Sequence, residues 1–274
     1  MNKGKLNKKP FDIMWTYVIT TYLVFWLMVL GICGTAAMVF HASPFVMRIL
    51  SNICAWSPTI VLFIMFRKLR PNMTLKKFCQ SAFSGSVKWY LMILLSVVIA
   101  GGICLSIWFL SLLQGRNFLS YFTLGNYSLL TSFVLSLLSG PTGEEAGWRG
   151  YLRVELNQRY SFLKASILQG VTWPIWHTVL WIIDSDFMGL SMIPYVISNV
   201  IVMSCLAIVM NVVLEKNNNL LYAILIHFAF NFMYCFLLVD IWFYLILSVV
   251  YIFIAIVFLI RRGKDENDQK KIYY

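Results

Sequence analysis

Charged residues are scarce in this chain of 274 residues. Asp, Glu, Lys and Arg together make up 12% of it, whereas 60% of the residues are hydrophobic and the mean hydropathy is +0.78. An ordinary soluble domain is about 25% charged and about 45–50% apolar, and a single soluble core cannot bury this much apolar surface. The composition therefore excludes a soluble globular protein and a disordered chain.

Several motifs are also missing. The six cysteines are widely separated and include no CxxC pair, which argues against a zinc knuckle and a disulfide framework. No HExxH, GxSxG or paired intramembrane aspartate motif is present. The hydrophobic runs lack the alternation of polar and apolar residues that β-barrel strands require. What remains is an all-α, polytopic membrane bundle.

Long hydrophobic runs dominate what is present. A membrane-spanning helix needs about 20 apolar residues, so the composition allows at most about eight spans. We expect one domain, residues 1–274, without a repeat or a linker. The predicted spans are approximately Ile13–Phe40, Phe45–Phe66, Trp89–Leu113, Tyr127–Asn157, Leu163–Ile183, Met192–Leu214, Leu220–Val239 and Ile241–Ile260.

The net charge of +11 reflects where the basic residues lie rather than an affinity for nucleic acid. They gather at the ends of the hydrophobic runs, which indicates membrane topology and contact with anionic lipid. With the N-terminus in the cytoplasm, 20 of the 22 Lys and Arg residues lie on the cytoplasmic side, and Arg48 and Arg116 lie outside. The sequence therefore predicts that both termini are cytoplasmic.

Polar residues inside the predicted spans are candidates for a functional site, because ionisable groups at membrane depth are costly. Adjacent helical residues point about 100° apart, so Glu144 and Glu145 cannot face the same way. Glu145 and Arg149 are spaced i,i+4, which favours an ion pair and leaves Glu144 to face the bundle interior. The alternative is that both glutamates only cap a cytoplasmic helix end. His227 and Asn231 are also spaced i,i+4, which equally fits an ordinary interhelical hydrogen bond.

Three predicted spans bring Glu144, His177, His227 and Asn231 to a similar depth. One carboxylate and two imidazoles can hold a zinc ion with an open position for water. A Glu–His pair can alternatively polarise water without a metal, while the remaining His and Asn stabilise an oxyanion. Both mechanisms predict hydrolysis of a peptide bond.

The segment Glu-Glu-Ala-Gly-Trp-Arg-Gly-Tyr-Leu, which starts at Glu144, resembles the first signature of the CPBP intramembrane proteases. This group contains the type II CAAX prenyl endopeptidases and the bacterial Abi, or bacteriocin self-immunity, proteins. Its second signature, an aromatic residue followed four residues later by His, matches Trp173 and His177, with Trp where Phe is often written. Its third, HxxxN, matches His227 and Asn231.

The resemblance implies an intramembrane endopeptidase with a signature-bearing core at about 127–239. By this resemblance, Glu144 and His177 would activate water, and His227 and Asn231 would complete the site. Glu145 and Arg149 would support these residues. Two alternatives remain for the cofactor. The protein could bind one divalent metal ion, most plausibly zinc, through Glu144, His177 and His227, or it could use a glutamate mechanism without a metal.

The expected partners are membrane lipid and a membrane-associated peptide or protein substrate. Abundant Lys, Asn and Ile favour a bacterial plasma-membrane protein that matures peptides or confers bacteriocin self-immunity. One alternative is a catalytically idle immunity or signalling scaffold that keeps the fold. Another is a small transporter with Glu144 as a proton site, although the sequence lacks the internal repeat expected of one.

Overall fold

The computed structural model describes residues 12–184 and 187–272, and within these ranges the chain forms helices and no β-strand. This confirms the predicted all-α membrane bundle. The α-helices are α1 (Ile13–Met28), α2 (Gly34–Met38), α3 (Pro44–Cys54), α4 (Ser57–Leu69), α5 (Leu75–Ala82), α6 (Trp89–Gln114), α7 (Leu129–Leu138), α8 (Gly140–Glu145), α9 (Arg153–Arg159), α10 (Phe162–Asp184), α11 (Met192–Asn217), α12 (Leu221–Tyr234) and α13 (Ile241–Ile272). Shorter helical turns are π-helical at Val29–Cys33 and Ala146–Leu152, and 3-10 at Phe118–Tyr121 and Gly189–Ser191.

Five segments within the described residues are long and apolar enough to cross a membrane. Each overlaps one of the spans predicted from the sequence. They are Ile13–Met38, Pro44–Leu69, Trp89–Gln114, Gly189–Asn217 and Ile241–Lys264. The predicted count of eight spans is not confirmed, because three of the hydrophobic runs do not meet the same criteria of length and composition.

These three runs are helical but interrupted, more polar or short. The continuous helix expected over residues 127–157 is wrong, since the backbone breaks at Ser139, where α7 ends and α8 begins. Pro141, in the first turn of α8, has no N–H with which to continue α7. Polar residues such as Gln169 and His177 lower the hydropathy of α10, and α12 has only 14 residues. The same three runs carry the candidate site residues.

The helix α11 lies at the centre of the bundle. Thirteen of its 26 residues are buried, and it packs against α10, α12 and α13. Outer helices instead expose large apolar side chains, among them Ile64, Trp89 and Phe253. An exposed apolar surface of this extent would drive association in water, whereas acyl chains solvate it in a bilayer. The distribution is that of an integral membrane protein.

Two loops at one end of the bundle are joined through their backbones. The amide of Gly85 donates to the carbonyl of Asn218 at 3.1 Å, and the amide of Leu220 donates to the carbonyl of Ala82 at 2.9 Å. The side-chain amide of Asn219 donates to the carbonyl of Gly85 at 2.7 Å. We refer to these paired segments as the loop clasp, which holds the start of α12 against the end of α5.

The orientation of the bundle stays a prediction. Four of the basic residues assigned to the cytoplasmic side, Lys3, Lys5, Lys8 and Lys9, lie outside the described residues.

Candidate active site

A cavity of about 280 Å³ lies between α3, α8, α10, α11 and α12. The four residues predicted to act on a substrate, Glu144, His177, His227 and Asn231, all line it. Glu144 is 2% exposed and His227 is 4% exposed. The fold therefore brings together, in one largely buried space, polar groups that are up to 87 residues apart in the sequence.

The carboxylate of Glu144 is held on one side and left open on the other. The indole Nε1 of Trp173 donates a hydrogen bond to Oε2 at 2.6 Å. The other oxygen, Oε1, lies 3.9 Å from Nε2 of His177, which is too long for a direct hydrogen bond. Glu144 thus keeps one oxygen for a group that enters the cavity.

The tautomer of His177 follows from its neighbours. Its Nδ1 lies 3.2 Å from the carbonyl oxygen of Trp173, an acceptor only, so this nitrogen donates. The lone pair is then on Nε2, the atom that faces Glu144. Trp176 contacts the ring edge-on, with 4.6 Å between centroids, and Trp181 stacks on it at 5.7 Å. These rings hold the imidazole plane in place.

Pro174, three residues before His177, is accommodated by the neighbouring helix. Proline lacks an N–H, so the carbonyl of Gly170 loses its helical donor. The hydroxyl of Ser204 on α11 donates to that carbonyl instead, at 2.8 Å. A Cβ atom at Gly170 would lie 2.8 Å from Cα of Ser204, which shows how closely α10 and α11 approach here.

A second polar network lies behind the cavity. Nη1 of Arg149 donates to Oε1 of Glu145 at 3.1 Å, and both side chains are fully buried. This is the ion pair that their i,i+4 spacing predicts. Nδ1 of His227 contacts the same oxygen at 2.7 Å, a contact that no sequence spacing indicates. The guanidinium of Arg149 also stacks on the ring of Trp173, with Cζ 3.8 Å from the centroid.

The two networks meet at Gly140. A Cβ atom at this position would lie 2.6 Å from both Oε1 of Glu144 and Nε2 of His227. The reactive oxygen of one network and the cavity-facing nitrogen of the other therefore approach the same point. Only glycine leaves both atoms where they are.

The candidate metal ligands are Glu144, His177 and His227. Glu, His and His form a ligand set that zinc accepts, yet no three His, Cys, Asp or Glu side chains in the described part of the chain are placed to hold a metal ion. Nδ1 of His227 is also engaged by Glu145. The metal therefore stays a prediction, and no step proposed below depends on one.

Other cavity residues had no signal in the motifs. Arg48 and Asn52 of α3 line the same space, and the amide of Asn52 donates to the carbonyl of Leu135 at 3.1 Å, which braces α7. Trp173 fits its signature only as an aromatic residue, although its N–H positions Glu144. The only sequence signal for Arg48 is that it is one of two basic residues predicted on the outer side.

Residues 126–233 match the protein family described as Type II CAAX prenyl endopeptidase Rce1-like. The matched segment contains Glu144, Glu145, Arg149, Trp173, His177, His227 and Asn231. Through this segment the chain is similar to the type II CAAX prenyl endopeptidases.

A curated relative points to the same family. CAAX prenyl protease 2 of Methanococcus maripaludis is 44% identical to this chain over 66 residues. These residues are 23% of this chain and 24% of the relative, so the similarity spans about a quarter of the length of that protein. Within the matched segment, α8, α10 and α12 contribute the polar site residues, whereas Arg48 and Asn52 come from α3, outside it.

Proposed function

We propose that the chain is an intramembrane endopeptidase that hydrolyses a peptide bond of a membrane-associated peptide or protein. The main support is the 3.9 Å separation of Oε1 of Glu144 and Nε2 of His177 on the cavity wall. Both atoms are acceptors, so one water molecule between them would donate a hydrogen bond to each. Its lone pairs would then face the cavity, where a substrate carbonyl carbon can be attacked.

In this proposal Glu144 is the general base and then the general acid. As the water oxygen attacks the carbonyl carbon, the water proton moves to Oε1. When the C–N bond breaks, the same proton moves to the leaving nitrogen, and the products are a carboxylic acid and an amine. The hydrogen bond from Trp173 to Oε2 keeps the carboxylate oriented through both transfers.

His227 and Asn231 are proposed to stabilise the oxyanion. As an oxyanion donor, His227 would carry an N–H on both ring nitrogens. Nδ1–H would then donate to Glu145, while Nε2–H faces the cavity. The amide of Asn231 lines the same cavity one helical turn later, so two donors can meet the developing charge.

The proposed substrates are peptides anchored in the membrane, because the site lies among helices that expose apolar side chains to lipid. In a bacterial plasma membrane these would be exported peptides, cleaved for maturation or for bacteriocin self-immunity. The name of the relative from Methanococcus maripaludis, CAAX prenyl protease 2, adds prenylated C-terminal peptides to the substrates to test.

A comparison of membrane peptides tests the proposal and identifies the substrate. Cells with the wild-type chain should contain cleavage products that are absent from cells with Glu144→Gln at equal protein level. Glu215→Gln is a matched control, because Glu215 is an exposed carboxylate on α11, and it should process the wild-type set. Identical processing by Glu144→Gln and wild type would refute the proposal.

The metal is tested on purified protein. About one equivalent of zinc in the active wild type, lost in His177→Ala, would support a metalloenzyme. Full activity after chelation would leave the Glu–His water mechanism as the account of the chemistry.

A further inference from the structure

A second cavity, of about 150 Å³, lies beside the loop clasp, and Arg149 separates it from the candidate active site. Helices α5, α9 and the end of α11 line it, together with Arg70 at the end of α4. Three arginines contribute to its wall, Arg70, Arg149 and Arg153, and none of the described residues that line it is acidic. The volume exceeds the ~10–15 Å³ that one water molecule needs, so the cavity has room for a small polyatomic ion.

Two of the three arginines are neutralised by nearby carboxylates. Arg149 pairs with Glu145 at 3.1 Å, and Nη1 of Arg70 lies 2.6 Å from Oε1 of Glu155. Their charges are therefore balanced before any ligand arrives. They shape the cavity wall but leave the third guanidinium as the source of net charge.

Arg153 is the uncompensated cation. The residue is 9% exposed, and its Nε donates to the backbone carbonyl of Arg149 at 3.3 Å. Across the described residues, no carboxylate lies within ion-pair distance of it. Glu215 contributes to its electrostatic environment, but both oxygens of that carboxylate bond to Arg262, at 2.6 and 2.9 Å.

A nearly buried guanidinium without a counter-charge is costly, because it has lost water without gaining an anion. A phosphate group would supply that anion, and its oxygens match the fork of N–H donors on arginine. The surroundings favour the same charge. Lys76 and Lys77 are exposed on α5, the helix that contributes Phe78 and Ser81 to the cavity wall.

We infer that this cavity binds a phosphate-bearing anion through Arg153. The shared chemistry fits both an anionic lipid headgroup and free inorganic phosphate. Glu144 lines the candidate active site and not this cavity, so Glu144→Gln should bind the anion as the wild type does. A failure of anion binding and a failure of proteolysis are therefore distinguishable.

The test uses the full chain in phosphatidylcholine nanodiscs and follows its thermal unfolding midpoint, because a ligand that binds the folded state raises it. One arm adds phosphatidylglycerol to the nanodiscs, a second adds inorganic phosphate, and a third adds chloride at matched ionic strength. A rise with phosphatidylglycerol alone assigns the lipid headgroup as the ligand. A rise with inorganic phosphate assigns the free anion, and chloride should give neither.

The variants test whether Arg153 holds the anion. Arg153→Gln should weaken the apparent affinity about tenfold or more. Lys68→Gln, which removes an exposed cation outside the cavity wall, should respond as the wild type does. Gln158→Glu changes an exposed residue of the wall, so it should fold normally and lose binding by repulsion. A wild type that responds to neither anion, or equal responses from Arg153→Gln, Gln158→Glu and wild type, would overturn the inference.

Discussion

Glu144 and Glu145 are neighbours in the sequence but belong to different networks. Glu144 faces the cavity and receives a hydrogen bond from Trp173, whereas Glu145 lies behind it between Arg149 and His227. The i,i+4 pair could be predicted because both partners lie on one helix. The contacts with Trp173 and His227 could not, because they depend on how three helices pack.

Gly140 should be required for activity more than for folding. In Gly140→Ala, the new Cβ would meet Oε1 of Glu144 and the ring of His227 at 2.5–2.6 Å. Side-chain ends can shift to relieve the clash, so we expect a small change in the thermal midpoint. A displacement of a catalytic group by about 1 Å lowers the cleavage rate about 100-fold. Activity and thermal unfolding of the same purified sample measure both effects.

Gly101→Ala is the control for that variant. Gly101 lies in α6, and a Cβ atom there would have no heavy atom within 4 Å. It should cleave at the wild-type rate. Equal cleavage by Gly140→Ala and Gly101→Ala would show that the two networks do not meet at this glycine.

The buried pair of Glu145 and Arg149 should couple strongly. Arg149→Gln leaves a buried carboxylate without its cation, which costs about 3–5 kcal/mol of unfolding free energy. The double variant Glu145→Gln/Arg149→Gln should cost less than the sum of the two single changes, because it leaves no unpaired charge. Reversible unfolding in micelles gives these values. Strictly additive losses of unfolding free energy would contradict a coupled pair. The control is Arg159→Gln, which removes a partly exposed partner of Asp12 and should cost about 1 kcal/mol or less of unfolding free energy.

At the scale of helices, hydrophobic periodicity and length predicted most of the elements. The run over 127–157 is the exception, because a local break at Ser139 and a π-helical turn at Ala146–Leu152 replace one straight helix. Pro141 is the sequence signal for the break. The π-helical turn has no comparable sequence signal, although Gly147 within it is packed so closely that a Cβ atom would clash with the hydroxyl of Tyr17.

The loop clasp should depend on Gly85. A Cβ atom at this position would lie 1.5 Å from the backbone carbonyl oxygen of Asn217, and a backbone atom cannot rotate away. Gly85→Ala should therefore part the two loops and cost about 1–3 kcal/mol of unfolding free energy. Gly31→Ala, which meets no heavy atom within 4 Å, is the comparison. Denaturation measures the unfolding free energy of both variants. Equal values would mean that the loop clasp contributes nothing to stability.

At the scale of the whole molecule, composition predicted the membrane environment but not the number of crossings. Apolar content reports how much surface must avoid water, and the exposed apolar side chains of the outer helices agree with it. Apolar content does not report whether each hydrophobic run is continuous, because the helices that carry the site have Glu144, His177 and Asn231 among their apolar residues. Polar groups such as His177 lower the hydropathy of α10, whereas the run over 127–157 is interrupted at Ser139 and α12 is apolar but has only 14 residues.

Orientation can be tested with single cysteines. The charge distribution predicts Cys79, exposed on α5, on the cytoplasmic face, and Leu124, which is 92% exposed, on the outer face. With the other cysteines replaced, a membrane-impermeant maleimide should label Leu124→Cys in intact spheroplasts and Cys79 only after lysis. The reverse labelling pattern would show that the bundle has the opposite orientation in the membrane.

The central claim is that Glu144 activates the water that cleaves a membrane-anchored peptide. Its most direct test is the cleavage rate of the identified substrate by purified Glu144→Gln, beside Glu215→Gln and the wild type, in the same nanodiscs. We predict that Glu144→Gln loses about 10²–10⁴-fold in rate, with an unchanged thermal midpoint, while Glu215→Gln keeps the wild-type rate. Cleavage by Glu144→Gln at the wild-type rate would contradict the claim.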